Sequence, residues 1–233
     1  LGLNELIFIV LIVIGVYFMI KPPRWYKKTK ERKFLKKFEG REKSKKLNLI
    51  GKNILKANNI SHINISFYVL KSNVINAFAT ENNEVYITEG ILKLFAFEEK
   101  FIAAVLSHEI AHIMKGHIKK NQKFISKINI LSSILPRSVF GSSLNYIFKG
   151  AAANYSKENE LEADNLSVKY LYFAGYNPIV AYLSLKKLYE NIKEKDSPIE
   201  DFFSSHPIST ERLEAVKSEA SAYYHAVVAP LLN

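Results

Sequence analysis

The chain contains no cysteine. That absence excludes a disulfide scaffold, a Cys-ligated zinc finger, an iron–sulfur protein and a cysteine nucleophile. It leaves the redox compartment open, because a chain without thiols tolerates either side of a membrane. No internal repeat or low-complexity tract occurs in the 233 residues. Acidic charge is scarce: 22 Asp and Glu face 33 Lys and Arg, a net charge of +11. The excess is local. Residues 21–56 carry fifteen Lys or Arg against Glu31, Glu39 and Glu42, a balance of +12, so the remainder nets −1. A globally basic domain would suggest nucleic acid. A neutral domain with one basic collar suggests a membrane surface and no nucleic-acid partner. Hydrophobic residues make up 48% of the chain, which excludes a wholly disordered polypeptide. The length suits one globular domain, or one domain with a short appendage.

Residues 6–20 (LIFIVLIVIGVYFMI) are uninterrupted apolar residues and glycine. With Leu1, Gly2 and Leu3 the stretch approaches the ~20 residues a spanning helix needs. It has no basic n-region and no small-x-small cleavage signal, so an uncleaved anchor fits better than a signal peptide. Tyr17, Trp25 and Tyr26 fit an interfacial aromatic belt. The basic residues that follow place residues 21–233 in the cytoplasm by the positive-inside rule, with the periplasmic side as the alternative. The expectation is a single-pass cell-membrane protein that meets lipid through its anchor and collar. Three segments result: an anchor at 1–20, a basic juxtamembrane helical segment at 21–58, and a folded domain at 59–233.

Within that domain the spacing predicts an α+β fold, mostly helical, with a small sheet. Residues 29–58 read as helix from Phe34, Leu35, Phe38, Leu47, Ile50, Ile54 and Leu55, with Gly40 and Gly51 as breaking points. Residues 63–70 read as a strand, and 74–80 and 84–88 as two extended pieces around the turn-prone Asn82-Asn83. A short helix is expected at 89–95 and a strong one at 98–120. Residues 124–150 are apolar but broken by Lys127, Pro136, Arg137 and Gly141. Helices are expected at 156–173 and 178–195, joined by the stop signal Gly175-Tyr176-Asn177-Pro178, and a last one from Ser209.

His108-Glu109-Ile110-Ala111-His112 is an H-E-x-x-H motif in the middle of the strongest predicted helix. Residues i and i+4 project from one face, so two imidazoles can grip one metal ion, and Glu109 sits beside it. Zinc suits such a site. A catalytic zinc needs a third protein ligand and an open position. Glu158, Glu160, Glu162 and Asp164 are the candidates, as the i, i+4 pairs Glu160/Asp164 and Glu158/Glu162. Periodicity does not choose between them. In the first pair Glu160 ligates while Asp164 accepts a hydrogen bond from the far nitrogen of a ligand histidine. His117, five residues beyond His112 and about 140° around the helix, cannot share its metal face and reads as structural.

The run EKFIAAVLSHEIAHIMKGH at 99–117 resembles the active-site helix of the membrane-associated zinc metalloendopeptidases of the HtpX, BepA and Oma group. These gluzincins share a family with the CAAX prenyl proteases. Asn76-Ala77-Phe78-Ala79 with Val85-Tyr86-Ile87-Thr88-Glu89-Gly90-Ile91-Leu92 is similar to the strand pair preceding that helix. Glu160-Leu161-Glu162-Ala163-Asp164 fits the E-x-x-A-D element. Ala174-Gly175-Tyr176-Asn177-Pro178, Ser205-His206-Pro207 and Glu211-Arg212 also match. The resemblance covers about residues 60–215 and implies a zincin-like metalloprotease domain. It implies His108, His112 and Glu160 as ligands of one Zn2+, Glu109 as general base and Asp164 as the partner behind a ligand. His206 corresponds to a histidine that can approach the zinc and hold the enzyme latent.

The expected activity is zinc-assisted hydrolysis of extended or unfolded protein substrates, misfolded or membrane-associated ones given the tether. Glu84, Val85, Tyr86, Ile87 and Thr88 are expected to form an edge strand where substrate adds by β-augmentation. The competing reading is a membrane-anchored chaperone or scaffold whose zinc is structural and closed by His206.

Overall fold

The computed structural model describes residues 39–121, 142–192 and 206–228. The chain forms two compact units, residues 1–37 with 119–155 and residues 38–118 with 156–233. The described residues of the first, 119–121 and 142–155, are helical. The expected anchor and the collar up to residue 38 lie outside the described residues, as do 122–141. No helix among the described residues is long and apolar enough to cross a membrane.

The second unit begins with β1 (Glu39–Lys43) and α1 (Lys45–Ala57). Ser44 caps α1, its Oγ accepting from the Leu47 N–H at 3.2 Å. Leu47, Ile50, Ile54 and Leu55 recur on one face and are buried. A Cβ on Gly51 would lie 2.3 Å from the Phe67 ring, so glycine is what lets α1 seat on the sheet. The expectation of helix over 29–58, with breaks at Gly40 or Gly51, is corrected over 39–43. That stretch pairs antiparallel with β2 (Ser66–Lys71) instead. Its Arg41 donates to the Tyr86 hydroxyl at 2.9 Å and lies over the Tyr68 ring. These contacts outweigh the local helical spacing.

Among the described residues the sheet has four strands in the order β1-β2-β4-β3, with β3 at Ala77–Ala79 and β4 at Glu84–Thr88. β4 runs parallel to β2 and antiparallel to β3. The expected edge strand is therefore corrected: Glu84, Val85, Tyr86, Ile87 and Thr88 form an inner strand, and β1 and β3 are the edges. Val85, Tyr86, Ile87 and Thr88 are all fully buried, as an inner strand covered on both faces requires. The β3–β4 turn is the predicted one, with Asn83 at φ 58°.

Thr88 ends β4 and caps α2 (Glu89–Leu94), accepting from the Ile91 N–H. Its hydroxyl also bonds the backbone N–H and C=O of Asn76, tying β4 to the start of β3. Then comes α3 (Glu99–Lys115), closed by Gly116 in the left-handed region at φ 66°. It packs against α1, β3, β4 and α5 (Ile179–Ile192). Among the described residues helix resumes at 117–121, and further helices are α4 (Ser142–Phe173) and α6 (Thr210–Val228), the latter packed on α5. α3 is the central element, which is why ten of its residues are buried.

Candidate active site

The motif of α3 turns His108 and His112 toward α4, which presents Glu160 one turn before Asp164. The Nε2 atoms of the two histidines are 3.0 Å apart. Glu160 bridges them, with Oε1 3.2 Å from His112 Nε2 and Oε2 3.3 Å from His108 Nε2. His206, in the segment before α6, brings Nδ1 to 3.4 Å from His108 Nε2 and 3.1 Å from Glu160 Oε2. One ligand atom from each of His108, His112, Glu160 and His206 lies within 4.8 Å of all the others. Tetrahedral bonds of about 2.0–2.1 Å to nitrogen and oxygen put ligand atoms about 3.3 Å apart. The observed separations of 3.0–3.4 Å are of that size, and the nitrogen and oxygen donors are able to hold one metal ion. Glu109 is 1% exposed and places Oε1 3.4 Å from His206 Nε2.

The far nitrogens of the two motif histidines are also engaged. His108 Nδ1 meets Asp164 Oδ1 at 2.9 Å. Arg212 in turn clamps Asp164 through two bonds of 2.8 and 2.9 Å. The same guanidinium reaches Glu160 Oε2 at 3.0 Å and the Pro207 carbonyl at 2.7 Å. One arginine thus ties α6, the His206 segment, and Glu160 and Asp164 of α4. His112 Nδ1 meets His117 Nδ1, and His117 Nε2 meets Glu162. Of the four acids left open by spacing, the structure brings Glu160 and Asp164 to the site. Glu158 is exposed, and Glu162 lies behind His117.

Burial opposes charge on His108, yet its bonds to Asp164 and Glu160 raise it to about 10. Burial dominates at His112 and lowers it. Burial also opposes charge on His206, and Glu160 and Glu109 overcome it and raise the imidazole. Burial pushes Glu160 up, but His206 and bonds from the motif histidines hold it well below the ordinary carboxylate range. Asp164 is likewise lowered against burial, chiefly by Arg212. The constellation is anionic carboxylate and imidazole in near-contact, and a dication is the partner that satisfies both at once. A small half-open cleft lies beside it. The polar end is His108, Glu109, Asp164 and Arg212, and the walls are apolar residues of α3, α5 and α6, among them Val105, Leu185, Leu188 and Val216.

Spacing alone gives Arg212 and His117 no role at the site and offers Glu162 only as a candidate metal ligand, whereas Glu162 meets His117 instead. Arg212 was legible only as part of a matched Glu-Arg pair, although it is 1% exposed. His117 was placed off the metal face, which holds, but the left-handed Gly116 returns it to the back of His112.

A model of Peptidase family M48 matches residues 41–220, more than three quarters of the chain. The chain is 27% identical over 172 residues to metalloprotease LoiP of Escherichia coli, covering 71% of this chain and 66% of LoiP. It is 28% identical over 200 residues to metalloprotease YcaL of the same organism, covering 78% and 75%. Against the mitochondrial metalloendopeptidase OMA1 of Schizosaccharomyces pombe it is 26% identical over 189 residues, covering 75% and 55%. The chain thus spans about two thirds of LoiP, three quarters of YcaL and little more than half of OMA1. On the extent of the family match, the chain belongs to Peptidase family M48, a family of metallopeptidases.

Proposed function

We propose that the chain is a zinc-dependent metalloendopeptidase binding one Zn2+ per chain. The observation that carries the reading is the clustering of His108, His112 and Glu160, with donor atoms 3.0–3.3 Å apart, beside a buried Glu109. Bound zinc supplies the Lewis acidity that polarises a scissile carbonyl and activates water. His108, His112 and Glu160 hold the ion, and Asp164 fixes the His108 ring. Glu109 takes a proton from the attacking water and delivers it to the leaving amine. The apolar cavity excludes water around these groups and accepts a substrate side chain. The substrate backbone adds to β3, the sheet edge that packs on α3, in extended form.

Misfolded or damaged membrane-associated proteins are the substrate class, because residues 6–20 and the basic run after them tether the domain at a bilayer. A C-terminal reporter active in the cytoplasm supports the expected topology. Periplasmic activity contradicts it. The peptidase reading is tested by casein degradation. Cleavage that a chelator stops and zinc restores supports it.

A second reading has one observation in its favour. His206 Nδ1 lies 3.1 Å from Glu160 and 3.4 Å from His108, so it can act as a fourth protein ligand. Four protein donors close a zinc site, which suits either a latent peptidase or a non-catalytic scaffold. His206→Ala separates them: increased cleavage identifies latency, and continued inactivity identifies the scaffold.

A further inference from the structure

The side of His112 that faces away from Glu160 holds a second imidazole. His117 is fully buried, with Nδ1 3.0 Å from His112 Nδ1 and Nε2 2.9 Å from Glu162 Oε2. Glu162 is partly exposed, and its other oxygen accepts from the Lys115 ammonium at 2.6 Å. A straight helix would carry residue i+5 about 140° away from His112. Here Gly116 adopts φ 66° and ends α3, and helix resumes at His117 with its ring turned back.

We propose that His117 and Glu162 form a positioning relay that fixes the tautomer and ring orientation of His112 as a metal ligand. The inference rests on the metal-site reading above and adds two residues to it. Beside Lys115, the Glu162 carboxylate is an acceptor only. His117 therefore donates its Nε2–H to it. A neutral imidazole carries one N–H, so His117 Nδ1 has a lone pair and accepts. The hydrogen on the 3.0 Å contact belongs to His112 Nδ1. His112 Nε2 is then left with its lone pair aimed at the donor cluster, 3.0 Å from His108 Nε2 and 3.2 Å from Glu160. The opposite tautomer of His117 would point two N–H groups at one another. The two motif histidines thus receive the same service by different means: a carboxylate directly behind His108, and a carboxylate acting through an imidazole behind His112.

The test is cobalt(II) and zinc affinity of the full chain, with the visible ligand-field band of the cobalt form as a second readout. His117→Phe keeps a ring but removes the acceptor. His117→Asn keeps an acceptor near the Nδ1 position. Glu162→Ala removes the distal carboxylate at a partly exposed position, so it reports even if a buried change disturbs folding. Loss of an outer hydrogen-bond partner weakens metal binding about 10- to 100-fold. The relay predicts that loss, and an altered cobalt band, for His117→Phe and Glu162→Ala, with recovery in His117→Asn. Unchanged affinity and band in Glu162→Ala and His117→Phe overturn it. Equal loss in both His117 variants with Glu162→Ala unaffected also overturns it, assigning His117 to packing. Failure of the unsubstituted chain to bind either metal overturns the metal-site reading itself.

Discussion

Arg212 shows how much one side chain can organise at the residue scale. It is 1% exposed and bonds both oxygens of Asp164, one of Glu160 and the Pro207 carbonyl. Removing one partner of such a buried pair leaves an uncompensated charge, at a cost of about 3–5 kcal/mol. Arg212→Ala should therefore lower the unfolding free energy by that order, read as a fall in the urea midpoint. Arg212→Lys should recover only part of it, because an ammonium cannot make the two-pronged bond. A midpoint equal to the parent's in Arg212→Ala would remove the organising role. The sequence makes the i, i+4 histidines legible, since their spacing is a property of any helix. It does not make Arg212 legible. Its partner Asp164 is 48 residues away and on another helix. Glu160 and Glu158 have the same composition and nearly the same position, and only the rotation of α4 separates the buried one from the exposed one.

At the scale of elements, two devices place the chemistry. The first is the reversal after α3. Gly116 sits at φ 66°, a region that costs a residue with Cβ about 1–2 kcal/mol. No atom lies within 4 Å of a Cβ built there, so the penalty for Gly116→Ala is conformational rather than steric. Gly116→Ala should lower stability by about 1 kcal/mol in denaturant unfolding. It should also weaken zinc binding, because His117 is set by that turn. The second device is β3, a short edge strand paired on one side by β4. Phe78→Pro should abolish peptide cleavage while zinc content stays at one per chain. Cleavage at the parental rate would exclude β3 as the substrate edge. The elements themselves were largely visible in hydrophobic spacing, from α3 and α5 to the β3–β4 turn. Strand order was not. Residues 84–88 have the same alternation whether they lie inside a sheet or at its rim, and the parallel pairing with β2 depends on residues eighteen positions away. Residues 39–43 likewise became a strand through contacts with Tyr68 and Tyr86 that local spacing does not record.

At the scale of the whole molecule, the site stores charge that folding must tolerate. In the metal-free protein, burial opposes the charged form of His108, but Asp164 and Glu160 raise it from the usual 6.5 to about 10. A group raised in the folded state contributes stability that is complete below its unfolded value and lost as pH rises through the folded one. The metal-free chain should therefore lose stability between about pH 6.5 and 10. With zinc bound the histidine is a neutral ligand and that pH dependence should vanish. Loading zinc at pH 8 should release protons, measurable as heats that vary with buffer ionisation enthalpy. Zinc at a thousand times its Kd should add about 4 kcal/mol to unfolding. A pH profile identical with and without zinc would place the metal away from His108.

Zinc content and casein cleavage of Glu109→Gln, measured beside the unsubstituted chain, test the central claim most directly. Glu109 is buried next to the four donors but is not one of the group His108, His112, Glu160 and His206 that could hold a metal ion. The expected result is one zinc per chain in both proteins, cleavage by the parent that a chelator abolishes, and none by the variant. Equal cleavage by both proteins would contradict Glu109 as the general base, and cleavage indifferent to the chelator would contradict the metallopeptidase.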